Sequence, residues 1–409
     1  MLVAGAILCF AVAMYIVVAT IGLWQRLQRQ RVADRQTAKL LELKIAAASE
    51  TRKTVVYGRH HWNGVRKFVV QRRVEESHDT ASFYLKPHDG RPLPMFLAGQ
   101  FLTFRFHITG EDRPVVRCYS LSNAPNSEVY RITVRRMGEG LASNFIHDNL
   151  GEGDILDVMA PRGDFCIEPG HHRPSVLIGG GVGITPVLSM LHSIAETGTG
   201  AETWLIHGIR SPQDRVMASE LQQLKEQNES FRVRIGYSAE TNPPEAADFS
   251  GRVTVDYLKR ILPSNNYEFF ICGSPAMMHS LVADLNKWGV PSSSIHTEAF
   301  GTDSVTSVRT AMPNDSEDET ERPDENAAVE FARSARSATW KQELGTLLEL
   351  AEANDVCIDA GCRAGSCGSC MTAVRKGEVT YLEKPGFPCE DGSCLPCICV
   401  PKGQLALDA

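Results

Sequence analysis

Long apolar runs and alternating apolar positions divide this chain into segments of different character. Residues 2–24 are uncharged and mostly apolar, and as a helix they would extend for about 34 Å, which is enough to cross a bilayer. Arginines follow this run and no basic residue precedes it, so the positive-inside rule places the rest of the chain in the cytoplasm. We predict a membrane anchor at 2–24 and a spacer at 25–61; a cleaved signal peptide is the alternative.

The next two regions differ in hydrophobic period. From Trp62 to Ile167, runs such as FLTFRF and VYRITVRR alternate apolar and polar residues between Gly and Pro turns. This period of two predicts an antiparallel β-barrel domain over 62–170. Later runs such as SVLIGG, ETWLIHGI and YEFFICG are continuously apolar, and each precedes a helical stretch. They predict an α/β domain with a parallel sheet over 171–301.

An acidic segment separates these regions from the end of the chain. Residues 302–326 contain seven acidic residues between Asp315 and Glu325, two prolines and few apolar positions. Such a composition buries too little apolar surface to become ordered, so it predicts a flexible linker. The remaining residues, 327–409, then form a small domain of their own.

The number and grouping of cysteines indicate what kind of site this last domain contains. Eight of the 12 cysteines lie from Cys357 onward, and GCRAGSCGSC groups three of them. Disulfide frameworks are typical of secreted chains, so the predicted cytoplasmic location favours metal binding instead. The formal net charge of −7 gives no support to a nucleic-acid-binding role.

The spacing Cys362-x4-Cys367-x2-Cys370, with a distant fourth cysteine, is typical of a plant-type 2Fe-2S cluster. Thiolates suit iron, and the neighbouring glycines let the loop direct N–H groups at the sulfurs. A zinc ribbon is the alternative, because Cys367-x2-Cys370 and Cys394-x2-Cys397 are separated by 23 residues.

A glycine-rich turn follows the first strand of the predicted parallel sheet. Gly179, Gly180, Gly181 and Gly183 would let the backbone turn tightly and approach a pyrophosphate, whose charge the N-terminus of the next helix stabilises. The turn departs from the usual G-x-G-x-x-G pattern. Tight packing of strand on helix explains it nearly as well as a nucleotide site does.

Five motifs in order nevertheless resemble one family. They are RCYS (117–120), MGEGLAS (137–143), GGGVGITP (179–186), CGSP (272–275) and EAFG (298–301). Together they resemble the ferredoxin–NADP reductase superfamily, and residues 62–301 are most similar to the reductase part of flavohaemoglobins. GEVTYL and CICVPKGQLALD, with the cysteine loop, resemble chloroplast-type ferredoxins over most of 329–408.

The resemblance implies roles for particular residues. Arg117 would contact the flavin pyrophosphate, Tyr119 would lie against the isoalloxazine ring, and Ser120 would hydrogen-bond near its reactive nitrogen. It further implies flavin-pyrophosphate contacts by Gly138, Gly140 and Ser143, pyridine-nucleotide contacts by Gly180, Gly181, Gly183 and Thr185, nicotinamide contacts by Cys272 and Gly273, and positions near the flavin edge for Glu298 and Phe300. It also implies Cys397 as the fourth cluster ligand, with Cys399 as the runner-up.

We therefore expect a multidomain protein: a transmembrane helix, an antiparallel β-barrel flavin domain, an α/β nucleotide domain and an α+β β-grasp ferredoxin domain. The expected function is a membrane-anchored reductase that passes electrons from NADH or NADPH through FAD or FMN to a 2Fe-2S cluster, and then to a protein acceptor such as an oxygenase or a hybrid-cluster protein. The expected catalytic residues are Tyr119, Ser120, Cys272 and Glu298. The alternatives are a subunit of a membrane respiratory complex and a redox sensor that does not turn over.

Overall fold

The computed structural model describes residues 62, 64–126, 128–239, 247–300, 326–383 and 385–409. The predicted anchor, the spacer and all of the acidic linker except Asn326 lie outside these residues. Among the described residues, no helix combines the length and the apolar character needed to cross a membrane. The described residues belong to a single compact unit.

The described part of the chain contains three sheets. Their strands are β1 Val65–Ser77, β2 Thr80–Pro87, β3 Phe101–Phe106, β4 Val115–Ser120, β5 Tyr130–Arg135, β6 Ile155–Met159, β7 Ser175–Gly180, β8 Thr203–Ile209, β9 Phe231–Tyr237, β10 Phe249–Ser250, β11 Glu268–Gly273, β12 Ile295–Ala299, β13 Ala327–Phe331, β14 Arg336–Trp340, β15 Thr372–Tyr381, β16 Ser393–Cys394 and β17 Cys399–Leu407. The α-helices are α1 Leu141–Asn149, α2 Ile184–Thr197, α3 Ala218–Gln227, α4 Val255–Ile261, α5 Pro275–Lys287 and α6 Leu347–Ala353.

The first sheet is antiparallel and has the strand order β4-β3-β6-β1-β2-β5. A bridge between Leu121 and Ile132 joins its two ends, so the strands close on themselves. Alternate residues of each strand point inward, and the interior is filled by buried rings and aliphatic chains, among them Phe68, Phe83, Leu85, Phe104, Tyr130 and Val158. The antiparallel sheet predicted for this region is confirmed.

The second sheet is parallel throughout, with the order β10-β9-β8-β7-β11-β12. Helices α2 and α3 pack on one face, and α4 and α5 pack on the other. The central strand β7 is covered on both sides, which is why Val176, Leu177 and Ile178 are all apolar and fully buried. This arrangement confirms the predicted parallel α/β sheet.

The third sheet is mixed, with the order β14-β13-β17-β15-β16. Helix α6 packs on it through Leu347 and Leu350. The helix begins at a capping box in which the Thr346 hydroxyl accepts from the Glu349 N–H at 3.3 Å and the Glu349 carboxylate accepts from the Thr346 N–H at 2.6 Å. The cysteine loop lies between α6 and β15, as expected of a ferredoxin-like domain.

Candidate functional site

The three side chains predicted to meet the flavin lie at the end of β4. Tyr119 packs with its ring tilted against Phe104 and Phe106, at centroid distances of 5.8 and 6.3 Å. Arg117 lies on the same face of the strand and is exposed, and its Nη1 donates to the carbonyl of Val116 at 2.7 Å. An exposed guanidinium beside an anchored aromatic ring suits a phosphate-bearing flat cofactor.

Ser120 connects the first sheet to the second. Its hydroxyl donates to Oε2 of Glu298 on β12 at 3.2 Å. Desolvation by the crowded surroundings raises the pKa of Glu298 to about 8, and the Ser120 hydrogen bond opposes that rise. The structure thus brings together two residues that the sequence assigned separately to the flavin.

Cys272 lies beside Glu298 in the parallel ladder of β11 and β12 and is fully buried. Burial, and secondarily the charge of Glu298, raises the pKa of its thiol well above the usual value. A thiol that keeps its proton is a poor nucleophile. The environment therefore agrees with the predicted packing role against a nicotinamide.

The glycine turn is shaped by close backbone contacts. A Cβ on Gly183 would lie 2.3 Å from the carbonyl oxygen of Cys272, and one on Gly273 would lie 3.2 Å from the Cα of Gly180. Gly181 has φ +55°, which favours glycine. Tight packing against the Cys272 carbonyl therefore explains why residue 183 is glycine. Gly180 and Gly273 form a narrow gap between the backbones at the ends of β7 and β11.

Two more side chains support this turn. The Thr185 hydroxyl donates to the carbonyl of Val182 at 3.0 Å, so it stabilises the turn itself. His207 on β8, which sequence reasoning missed, is buried beneath the turn with Nε2 3.1 Å from the carbonyl oxygen of Gly181. Burial lowers its pKa to about 4, so the ring is neutral and Nε2 can donate. Its signal in the sequence is weak, since one histidine in an apolar strand has no motif around it.

The second predicted phosphate-binding turn precedes α1. Ser143 closes it from within, because its hydroxyl accepts from the N–H of Met137 at 3.1 Å and donates to the carbonyl of Gly140 at 3.0 Å. A Cβ on Gly140 would lie 2.4 Å from that hydroxyl, whereas the space around Gly138 is open. Gly140 is therefore required by the turn, and Gly138 leaves its backbone accessible.

The two turns that lead into α1 and α2 lack the side-chain cap that most other helices have at their first turn. Helices α4, α5 and α6 begin with a side-chain cap from Thr254, Ser274 and Thr346. At α3 the Glu76 carboxylate accepts from the Met217 N–H at 3.3 Å. Helix α1 and the 3₁₀ turn Gly181–Gly183 that leads into α2 have no side-chain cap, so their first N–H groups can donate hydrogen bonds to the phosphates of FAD and of a pyridine nucleotide.

Phe300, the last described residue before the acidic linker, packs partly against the core formed by α2 and the second sheet. This places it beyond the end of β12, two residues after Glu298. Its predicted position near the flavin edge remains a prediction.

Four cysteines of the third domain form two pairs. Cys367 interacts directly with Cys362, and the Sγ atoms of Cys370 and Cys397 are 3.3 Å apart. The N–H groups of Ala364, Ser366 and Cys367 lie within 3.4 Å of the Cys362 sulfur. Two thiol pairs with converging N–H donors fit a 2Fe-2S cluster, in which each iron takes two thiolates.

The pKa of Cys367 is strongly lowered, chiefly by hydrogen bonding to Cys118 and then to Cys362. A ligand that is already a thiolate binds metal without first losing a proton. The loop also uses left-handed backbone at Arg363, Gly365 and Gly368, with φ of 55°, 69° and 73°. These turns direct the amide groups at the sulfurs.

The positions of the remaining cysteines test two alternatives: Cys399 as the fourth ligand, and a zinc ribbon in place of the cluster. Cys399 opens β17 and interacts with Cys394 inside the hydrophobic core. Cys397 lies instead in the 3₁₀ turn Pro396–Ile398, beside Cys370. The zinc ribbon would need Cys394 and Cys397 to face one ion together, and they belong to different pairs.

Sequence reasoning also missed two residues of the barrel domain beside this loop. Cys118 lies between Arg117 and Tyr119 on the opposite face of β4, and it interacts with Cys367. The guanidinium of Arg162 lies 4.5 Å from the ring centroid of Phe387. The alternation of side chains along β4 predicts that Cys118 points away from Arg117 and Tyr119. It could not predict the contact with Cys367, because Cys367 belongs to another domain.

Comparison with known proteins agrees with the division of the chain into three domains. Three family descriptions match: "Oxidoreductase FAD-binding domain" at residues 67–167, "Oxidoreductase NAD-binding domain" at 177–283 and "2Fe-2S iron-sulfur cluster binding domain" at 329–402. The flavohemoproteins of Oceanobacillus iheyensis and of Xylella fastidiosa strain Temecula1 are each 36% identical, over 244 and 264 residues. These matches cover 59% and 64% of this chain, and the chain spans 60% and 65% of those relatives.

Solved structures extend the similarity to the third domain. The FAD/NAD-binding domain of nitric oxide dioxygenase from Vibrio cholerae is 33% identical, with a TM-score of 0.55, over 59% of this chain and 100% of that one. Phthalate dioxygenase reductase, described as modular for electron transfer from pyridine nucleotides to [2Fe-2S], is 26% identical, with a TM-score of 0.54, over 85% of this chain and 98% of that one. The chain belongs to the ferredoxin–NADP reductase superfamily of NAD(P)H-dependent oxidoreductases, with FAD-binding and NAD-binding domains followed by a C-terminal 2Fe-2S ferredoxin domain.

Proposed function

We propose that this protein is a membrane-anchored, cytoplasmic reductase that delivers electrons from NADH or NADPH to a separate protein acceptor of the oxygenase class. One observation carries the proposal: the predicted ligand Cys367 lies against β4, the strand that bears Arg117, Tyr119 and Ser120. Electron donor and electron acceptor sites are thus adjacent within one chain.

The residues of the site would bind and orient the cofactors. FAD, when bound, would supply the group that takes a hydride from the nicotinamide, and a 2Fe-2S cluster would supply one-electron chemistry. Arg117 and the start of α1 would bind the flavin phosphates, while the start of α2 would bind those of the nucleotide. The Ser120 hydroxyl donates to Oε2 of Glu298, whose raised pKa of about 8 keeps the carboxyl mostly protonated near neutral pH. Buried Cys272 would exclude water beside the nicotinamide.

The oxygenase class of acceptor is inferred from similarity along most of the chain. Phthalate dioxygenase reductase shares all three domains over 98% of its length. A cytochrome P450 reductase from Amycolatopsis is 27% identical, with a TM-score of 0.51, over 58% of this chain. Both names refer to reductases of oxygen-activating enzymes, which favours an oxygenase over a hybrid-cluster protein.

Anaerobic reduction by NADH tests the electron path. The full chain with its cofactors should bleach its flavin absorption on addition of NADH and then develop the paramagnetic signal of a reduced 2Fe-2S cluster. Cys370→Ser should keep the first event and lose the second, and steady reduction of cytochrome c should fall with it. An unchanged rate of cytochrome c reduction in Cys370→Ser would contradict the path through the cluster.

Membrane attachment is proposed from the apolar run at 2–24 and the arginines that follow it. The full chain should remain in the membrane fraction after alkaline carbonate washing, and a chain that begins at residue 25 should be released. Release of both forms would contradict an anchor.

A further inference from the structure

Two side chains of the flavin domain lie beside the ligand loop of the ferredoxin domain. A Cβ on Gly361 would be 3.1 Å from the sulfur of Cys118 and 3.3 Å from the sulfur of Cys367, so both sulfurs lie close to Gly361 at the boundary between the two domains. Thr103 on β3 orients Cys118, since its hydroxyl lies 3.3 Å from that sulfur. A thiol S–H is a weak hydrogen-bond donor, so Cys118 can donate to the neighbouring ligand sulfur.

Arg162 contributes a positive charge at the same boundary. Its backbone is paired with Phe101 at 2.8 and 2.9 Å, so the residue belongs firmly to the barrel domain. Its guanidinium lies 4.5 Å from the ring centroid of Phe387. The N–H of Phe387 donates to the carbonyl of Gly365 inside the ligand loop at 2.9 Å. The charge of Arg162 also acts on Cys367.

Polar contacts hold these two surfaces together. Arg105 on β3 forms an ion pair with Asp359 at 3.4 Å, and Arg113 donates to the carbonyl of Cys357 at 3.4 Å. Both partners lie just before the first predicted ligand, Cys362. Exposed polar contacts of this kind are weak, so the two surfaces can associate and separate repeatedly.

We propose that Cys118 and Arg162 raise the reduction potential of the 2Fe-2S cluster while the ferredoxin domain is docked on the flavin domain, and that this effect is lost when the domains separate. The reduced cluster carries one more negative charge than the oxidised cluster. A hydrogen-bond donor to a ligand sulfur and a nearby cation both stabilise that charge. The docked cluster would then accept an electron readily, and the undocked cluster would be a stronger donor to the acceptor. This inference rests on the proposed function.

A redox titration of the full-length protein, with FAD and cluster bound, measures this effect through the paramagnetic signal of the reduced cluster. Cys118→Ala removes the donor and Arg162→Gln removes the charge. Each should lower the midpoint potential by an amount that corresponds to about a tenfold change in the reduction equilibrium, ~59 mV for one electron. Cys118→Ser keeps a donor and should stay near the original potential. Arg91→Gln, at an exposed arginine of the same domain, is the matched control and should change nothing.

A second pair of variants tests the dependence on docking. Arg105→Glu repels Asp359 and should separate the domains, so it should lower the potential by itself. Adding Cys118→Ala to Arg105→Glu should then produce no further shift, as expected when two changes remove the same contact. A full further shift would show that Cys118 acts without docking and would overturn that part of the proposal.

Other outcomes test the separate roles proposed for Cys118 and Arg162. If Cys118→Ala and Arg162→Gln bind cofactors fully and keep the original potential, the inference is wrong. If Cys118→Ser lowers the potential as much as Cys118→Ala does, hydrogen bonding by Cys118 is not the cause. If Cys118→Ala fails to assemble its cluster, Cys118→Ser and Arg162→Gln still decide the question. A full chain that assembles no 2Fe-2S signal at all would overturn the proposed function itself.

Discussion

At the scale of single residues, the contact between Ser120 and Glu298 has the clearest chemical consequence. A carboxyl group with a pKa of about 8 is mostly protonated at neutral pH and becomes an anion only in mildly alkaline solution. The anion would lie beside the proposed flavin site, which would receive a hydride. Negative charge there opposes the arrival of more negative charge.

We therefore expect the rate of FAD reduction by NADH to fall as pH rises through about 8. Glu298→Gln imitates the protonated carboxyl and should make the rate independent of pH over this range. Single-turnover stopped-flow measurements between pH 6.5 and 9 provide the test. An alkaline fall of the same size in Glu298→Gln would show that another group titrates.

The choice between Cys397 and Cys399 as fourth ligand is also a question of single residues. Cys397→Ser should abolish the visible colour and the paramagnetic signal of the cluster, because Cys397 lies beside Cys370. Cys399→Ser should keep both and lose some stability, because that thiol is buried in the core. If Cys399→Ser loses the cluster and Cys397→Ser keeps it, Cys399 is the fourth ligand. In each variant, bleaching of the flavin by NADH should persist.

At the scale of secondary-structure elements, the turn between β7 and α2 combines packing with the proposed phosphate binding. Its glycines bring β7, β11 and α2 together at their ends, and the uncapped start of α2 lies at the same place. A side chain here would disturb both functions at once.

Gly183→Ala should therefore lower the free energy of unfolding by about 1–3 kcal/mol, the usual cost of overpacking a core, because the new Cβ would meet the Cys272 carbonyl. It should also raise the KM for NADH. Gly151→Ala is the matched control, since its Cβ would meet only the Asp154 carboxylate at 3.8 Å. Thermal unfolding and initial rates at varied NADH concentrations measure the two effects. Normal stability and normal KM in Gly183→Ala would contradict this account of the turn.

At the scale of the whole molecule, a nearly buried charged group connects the barrel to the nucleotide domain. Arg131 on β5 is 5% exposed and binds both carboxylate oxygens of Glu220 on α3, at 2.8 and 3.0 Å. His192 on α2 also contacts Glu220, at 2.5 Å. Burial opposes ionisation of Glu220, but His192 and Arg131 outweigh it and lower its pKa to about 2.

Glu220→Gln should destabilise the protein by roughly 1–3 kcal/mol at pH 7, because it leaves the buried Arg131 guanidinium without its anion. The native contribution is fully present above the usual carboxylate pKa of about 4.3 and is lost as the pH falls towards 2. Glu226→Gln, on the exposed side of the same helix, should have little effect. Urea unfolding of the three proteins makes the comparison, and equal stability of all three would rule out a stabilising contact.

Short-range features of the fold could be predicted because neighbouring residues carry them. A period of two predicts antiparallel strands, continuous apolar runs before helices predict a covered parallel sheet, and both are observed. The spacing of Cys362, Cys367 and Cys370 and the order of the reductase motifs are likewise properties of the chain itself. They are sufficient to predict the three domains and the cofactor classes, which the family comparisons confirm.

The tertiary structure alone decided which distant residues meet. Cys370 and Cys397 are 27 positions apart, Ser120 and Glu298 are 178 apart, and Cys118 faces Cys367 from another domain. No periodicity extends over such distances, because these contacts depend on how strands and whole domains pack. The raised pKa of Glu298 follows for the same reason. Desolvation depends on which atoms surround a group, so the sequence determined the chemical types present here, and packing determined their protonation states and partners.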